Sequence, residues 1–169
     1  MSAAPPSPGA RSSLPPGLTF WSPAALIGTW FGTGLLPKAP GTWGSLVGLF
    51  LFFMLHTLSL PVYLAVVAGL FLVGSFAAGE AEKIMDHKDP GLVVIDEIVG
   101  MLITMIAVPA TPLTMALGFI LFRIFDIAKP FPINLVDQRL HGGLGIMLDD
   151  VIAGIYSLAA LHLLSWLFY

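Results

Sequence analysis

Five acids and one arginine sit in this chain where charge is expensive to place. Asp96 and Glu97 are adjacent, at the head of an apolar run. Arg123 and Asp126 are three residues apart, which puts them on one helix face. Asp149 and Asp150 stand just before a last apolar stretch, 151–169. Carboxylates brought together repel one another. Protonation or Arg123 relieves this in part, and a divalent cation relieves it best. An all-oxygen donor set suits Mg²⁺ or Mn²⁺. Mg²⁺ takes one or two protein carboxylates and completes its shell with water and phosphate oxygens. Phosphate chemistry is therefore the expectation. The chain has no cysteine and four scattered histidines, which excludes a thiol nucleophile and argues against zinc.

The elements that carry these groups belong to a membrane. Of 169 residues, 57% are hydrophobic and 10% charged, where a soluble domain carries about a quarter charged. Mean hydropathy is +0.92. Together these exclude an ordinary soluble enzyme. Net charge is −3 and the 7 basic residues are scattered, so no nucleic-acid footprint is present. Residues 39–79 hold no Asp, Glu, Lys or Arg. Pro61 divides that stretch into a short span, 44–58, and a full one, 61–79. A second charge-free run, 98–122, is broken by Pro109-Ala-Thr-Pro112 and predicts helices over about 92–108 and 112–128. Residues 151–169 make another full span. The fold expected is an all-α polytopic bundle of about five hydrophobic helices. A Gly/Thr-rich segment, 24–36, is a possible sixth that lies at the interface or re-enters. Residues 1–23 are a Pro/Ser/Gly tail, expected to be disordered and without the apolar region of a signal peptide. The membrane domain is 24–169.

Charge placement orients the five-span reading. Lys38, the cluster Glu80–Asp89 and the residues from Arg123 to Asp150 all fall at one side. The opposite turns, 57–61 and 109–112, carry no charge. The positive-inside rule makes the charged side cytoplasmic. The N-terminus is then inside and the C-terminus outside.

Arithmetic on the third and fourth helices places the acids at a common depth. Asp96 lies 13 residues before Pro109, and Asp126 lies 14 after Pro112. At about 1.5 Å per residue, both are roughly 20 Å from the shared turn. Asp149 and Asp150 are expected to open the fifth helix from the same side, where a helix N-terminus favours a carboxylate. One of them alternatively serves only as a cap. Two loops suit an anion. Lys38-Ala-Pro-Gly-Thr42 precedes the first span, and His141-Gly-Gly-Leu-Gly145 precedes the last. Glu80, Glu82 and Lys83 read as a solvated helix end, and Gly44-xxx-Gly48 as a packing face. Lys129 and Arg139 read first as topology determinants, and His56 and His162 as interfacial groups.

Four motifs in order carry a resemblance. They are Leu36-Pro-Lys-Ala-Pro-Gly-Thr-Trp-Gly-Ser45, Val94-Ile-Asp-Glu-Ile-Val-Gly-Met101, Phe122-Arg-Ile-Phe-Asp-Ile-Ala-Lys-Pro-Phe-Pro-Ile133 and His141-Gly-Gly-Leu-Gly-Ile-Met-Leu-Asp-Asp-Val-Ile-Ala-Gly154. Over about residues 25–165 the chain resembles the phosphatidylglycerophosphatase A family. The resemblance implies a Mg²⁺-dependent lipid phosphatase of the bacterial inner membrane. Such an enzyme takes the terminal phosphate from phosphatidylglycerophosphate and leaves phosphatidylglycerol.

Combined, the two readings assign roles. Asp96, Glu97, Asp126 and one of Asp149 and Asp150, taken as Asp150, are expected to hold Mg²⁺. Arg123, Lys38, Thr42 and Lys129 are expected to meet the phosphate. A remaining carboxylate or His141 is the candidate general acid or base. Attack by water and attack by a carboxylate are both open. The competing reading is a small cation- or proton-coupled transporter that uses the same acids. It needs polar groups to continue to the far side, where the third and fourth helices offer only Thr104 and Thr111.

Overall fold

A computed structural model describes residues 22–86 and 90–168. The expected tail, 1–23, lies almost wholly outside them, as do His87, Lys88 and Asp89. All described secondary structure is helical. The order is α1 (Pro23–Gly28), a 3₁₀ turn (Thr33–Leu35), α2 (Pro40–Leu55), α3 (Leu60–Met85), α4 (Ile95–Thr104), α5 (Pro112–Ala128), α6 (Ile133–Arg139) and α7 (Gly142–Phe168).

Proline sets most of the helix starts. It occupies the first or second position of α1, α2, α3 and α5, where its missing N–H costs nothing. Ser22 caps α1 by accepting from the Ala25 N–H at 3.2 Å. Thr111 and Thr114 cap α5 reciprocally, which fixes the turn expected at Pro109–Pro112.

α4 is the hub. Nine of its ten residues are buried, Glu97 being the exception. α2 lies on one side of it and α7 on another, and α7 also carries α3, α5 and α6. Small residues allow the close approach. A Cβ at Gly48 would lie 2.7 Å from the Met101 Cβ, and one at Gly154 would lie 2.6 Å from the Gly100 carbonyl oxygen. The Gly44-xxx-Gly48 face is thus a packing face, as its spacing suggests. Tyr63 ties α3 to α4 by donating to the Leu102 carbonyl at 2.8 Å.

Several expected boundaries move. The 92–108 helix is in fact the ten residues Ile95–Thr104, about 15 Å long, or half the hydrocarbon thickness. Its apolar flanks are turns instead, and Ala107 takes a left-handed φ of 56°. Hydropathy alone does not distinguish a buried turn from a helix. The last helix begins at Gly142, not at residue 151, so Asp149 and Asp150 lie about two turns inside α7 rather than at its N-terminus. The capping reading for them is therefore wrong. The acids do not end the helix because they face a cleft instead of lipid. α3 likewise continues to Met85 and carries Glu80, Glu82 and Lys83 within it. Segment 24–36 becomes α1 and the 3₁₀ turn, with α1 packed on α3. α6 had no hydropathy signal. Among the described residues, α3 and α7 are the two helices long and apolar enough to cross a membrane.

Candidate functional site

A cleft of about 350 Å³ opens at the end of the bundle where α2 and α4 begin and α5 ends. The segment entering α2 contributes Ala39, Pro40 and Gly41. Gly91 and Val93 come from the approach to α4, and Asp96 and Glu97 from its first turn. α5 contributes Arg123, Asp126 and Ile127, its cap contributes Lys129, and α7 contributes Asp149 and Asp150. Seven of the residues singled out by type and spacing thus meet in one place.

Three acids come closest. Asp96, Glu97 and Asp150 each offer a carboxylate oxygen, all within 4.8 Å of one another. Asp96 is 7% and Asp150 3% exposed, so neither charge is offset by bulk water. The Glu97 Oε2 is buried with no hydrogen-bond partner. An orphaned anionic oxygen inside a ring of hard oxygen donors fits a divalent cation such as Mg²⁺, and fits a softer metal poorly.

Arg123 borders this group. Its Nη1 donates to Asp126 Oδ2 at 2.6 Å and to Ser45 Oγ at 3.3 Å. Ser45 Oγ in turn donates to the Gly41 carbonyl at 2.8 Å. Asp126 is therefore a partner of Arg123 beside the three-acid group. Gly41 is pressed onto the site: a Cβ there would lie 2.3 Å from Glu97 Oε1 and 3.1 Å from Arg123 Nη1. A side chain at this position would have to displace the Glu97 carboxylate.

Lys129 closes the opposite rim. It ends α5 in the left-handed region, with φ 41°, a position usually filled by glycine. Its Nζ donates to Asp149 Oδ2 at 2.7 Å and lies 3.0 Å from Asp137 Oδ1 on α6. Burial pushes the Lys129 ammonium down. The Asp149 and Asp137 carboxylates outweigh that and hold its pKa above the ordinary lysine range.

Lys38, Thr42 and His141 are not among the lining residues. Lys38 and His141 are exposed, and Thr42 is half-buried on α2. Residue types alone did not point to Ser45, Asp137 or Ile127, whereas Gly41 belongs to the Lys38–Thr42 loop expected to suit an anion. For Gly41 and Ser45 a signal existed: one helical turn separates them, and both lie in the first motif.

At the far end, a smaller cavity of about 110 Å³ is lined by residues such as Phe52, His56, Tyr63 and Met105. Between the two cavities the core is apolar, built on Ile98, Met101, Leu102 and Phe122.

Fold and site together define an all-helical protein with two helices long and apolar enough to cross a membrane, among the described residues, and a cleft that sets acids beside an arginine and a lysine. Comparison with known proteins narrows this. A family profile described as Phosphatidylglycerophosphatase A matches residues 26–165. A Haemophilus influenzae protein named phosphatidylglycerophosphatase A is 39% identical over 151 residues, 88% of this chain and 93% of that protein. An Escherichia coli protein of the same name is 38% identical over 145 residues, 85% of this chain and 84% of that one. A Bacteroides thetaiotaomicron protein named putative phosphatidylinositol-3-phosphatase is 40% identical over 149 residues, 83% of this chain and 92% of that one. No solved structure matches the chain. The chain belongs to the phosphatidylglycerophosphatase A family and is a phosphatase.

Proposed function

We propose that this chain hydrolyses the terminal phosphate of phosphatidylglycerophosphate, giving phosphatidylglycerol and phosphate in phospholipid biosynthesis. We further propose that it works as a multi-pass protein of the bacterial inner membrane, with its cleft facing the cytoplasm. α2 to α5 and α7 are then the embedded helices, and α3 and α7 the full-length ones. The observation that carries this reading is the cleft itself. It sets Asp96, Glu97 and Asp150 within 4.8 Å of one another, with Arg123 and Lys129 on the same lining. The family's substrate has a terminal phosphate at the depth of a lipid headgroup, which suits such a cleft.

In this reading Asp96, Glu97 and Asp150 hold Mg²⁺. The ion, when bound, supplies Lewis acidity to the phosphoryl oxygens and lowers the pKa of a neighbouring water. Arg123 and Lys129 neutralise the phosphate's charge as it grows toward the transition state. Asp126 and Ser45 aim Arg123, and Asp149 and Asp137 hold Lys129. The positive end of α2 reaches the cleft at Pro40 and Gly41 and adds its dipole. A carboxylate of the cluster takes the proton of the attacking water. The phosphorus–oxygen bond to the glycerol breaks, and a proton is delivered to that leaving oxygen. Lys38, one residue from cleft-lining Ala39, and Thr42 on the same loop-to-helix segment would meet an incoming headgroup outside the cleft. His141 starts as an exposed group and is a candidate only for proton exchange with solvent.

Phosphate release by the purified protein tests the reading, with phosphatidylglycerophosphate, phosphatidylinositol 3-phosphate and phosphatidic acid offered side by side. The name of the Bacteroides relative justifies the second substrate. The expected outcome is preferred release from phosphatidylglycerophosphate, and preferred release from the inositol lipid would overturn the headgroup assignment. Arg123→Ala should lower kcat/KM by about 10²-fold or more, and Arg123→Lys should recover part of it without restoring the planar fork. Equal kcat/KM in Arg123→Ala would remove Arg123 from the site. Nothing favours the transporter reading, because the acids lead into the apolar core described above.

A further inference from the structure

We propose that the acyl chains of the substrate leave the cleft through the seam between α2 and α5, which makes that seam an acyl-chain site. This rests on the phosphatase reading above. A lipid phosphate can occupy the cleft only if its tails have an apolar way out to the bilayer.

Four other helix seams are shut. Between α2 and α4, a Cβ at Gly44 would lie 2.9 Å from the Val94 Cβ. Between α3 and α7, one at Gly79 would lie 3.1 Å from the Gly143 backbone nitrogen. Between α4 and α7, one at Gly100 would lie 2.8 Å from the Asp150 carbonyl oxygen. Between α5 and α7, Phe125 and Tyr156 meet edge to face at 5.7 Å. In each case backbone or ring atoms leave no room for a chain.

The α2–α5 seam differs. The two helices run antiparallel, and each packs mainly elsewhere, α2 on α4 and α5 on α7. Their polar contact is at the cleft, where Arg123 reaches Ser45. Beyond it the stripe on α2 continues at four-residue intervals to Leu49 and Phe53, and that on α5 by steps of four and three to Phe119 and Ala116. Phe53 is 46% exposed, and Ala116 is exposed too. At the mouth stands Ile127, which lines the polar cleft and is nonetheless 71% exposed. It is one turn from Arg123 on the side away from Phe119 and Ala116, so the stripe that carries Arg123 is apolar on both sides of it. From Arg123 to Ala116 the seam runs about 10 Å, enough for the upper part of a chain.

Ala116→Trp would fill the seam without removing a packed group. With dioleoyl phosphatidylglycerophosphate, its KM should rise about tenfold, the loss of a few buried methylenes. With the dibutanoyl substrate the rise should be much smaller. Leu72→Trp, on the exposed face of α3, should match wild type on both. An Ala116→Trp protein with a wild-type KM for the long chains, or with equal losses on both substrates, would overturn the proposal. A photolabel gives a second reading on the inactive Glu97→Gln protein. Phosphatidylglycerophosphate with a diazirine on one acyl chain should mark α2 and α5 peptides, and unlabelled substrate should compete. Competable labelling centred on α3 would overturn the site. A wild type inert on both substrates would instead sink the phosphatase reading, and the competed label would then decide the seam by itself.

Discussion

Glu97→Gln is expected to lower phosphate release by about 10³-fold or more while the protein still inserts and folds. The substitution keeps the size of the side chain and removes one anionic oxygen from the three-acid group. Glu97 borders both other acids of that group: its Oε2 is a buried oxygen without a hydrogen-bond partner, and its Oε1 faces Gly41. A group that serves structure would have its oxygens satisfied. Without metal, three carboxylates within 4.8 Å repel one another. Glu97→Gln should therefore melt no lower than wild type in EDTA, and lose most of the stabilisation that Mg²⁺ gives wild type. Thermal melts with and without Mg²⁺, run beside the activity assay, check both halves. Ordinary turnover would take Glu97 out of the chemistry. A large drop in melting temperature would make it a structural residue instead.

Gly143→Ala is expected to have the largest effect on the fold. A Cβ at Gly143 would lie 1.6 Å from the Ser75 carbonyl oxygen and 2.7 Å from the Gly79 backbone nitrogen. Both are backbone atoms of α3, so no rotamer change yields the space. α3 and α7 must separate, and both are of membrane-spanning length. A cost of at least about 3 kcal/mol follows, or a drop on the order of 10 °C in melting temperature. Because α7 carries Asp149 and Asp150, activity should fall with it. Gly69→Ala, where nothing lies within 4 Å, is the control and should be tolerated. Melting temperature and yield in the membrane fraction check the pair. Similar values for the two variants would contradict the close α3–α7 packing.

The acids were legible in the sequence because charge inside apolar runs is costly and therefore informative. Depth arithmetic from the Pro109–Pro112 turn put Asp96 and Asp126 together correctly, although α4 is shorter than assumed. The helical rise holds over only Asp96–Thr104 of that count, the rest being turn, so the agreement is at the level of a shared cleft. The start of α7 was not legible. Asp149 and Asp150 looked like a boundary, but a helix continues through acids that face a cleft. α6 is short and polar, and no hydropathy or period marks seven residues. The pairing of Arg123 with Asp126 was legible from spacing, but Ser45 beside Arg123 and the partners of Lys129 were hidden for another reason. Ser45 is 78 residues from Arg123, and Asp137 reaches Lys129 only because α6 folds back. Such pairings come from tertiary packing, which spacing does not encode.

The central claim is that the Asp96–Glu97–Asp150 group holds a divalent cation that phosphate release requires. Its most direct test is phosphate release from phosphatidylglycerophosphate by the detergent-purified wild type, first with Mg²⁺, then with EDTA, then with Mg²⁺ restored. The account predicts release that stops with the chelator and returns with the ion. Undiminished release in EDTA, from protein shown free of metal, would contradict it.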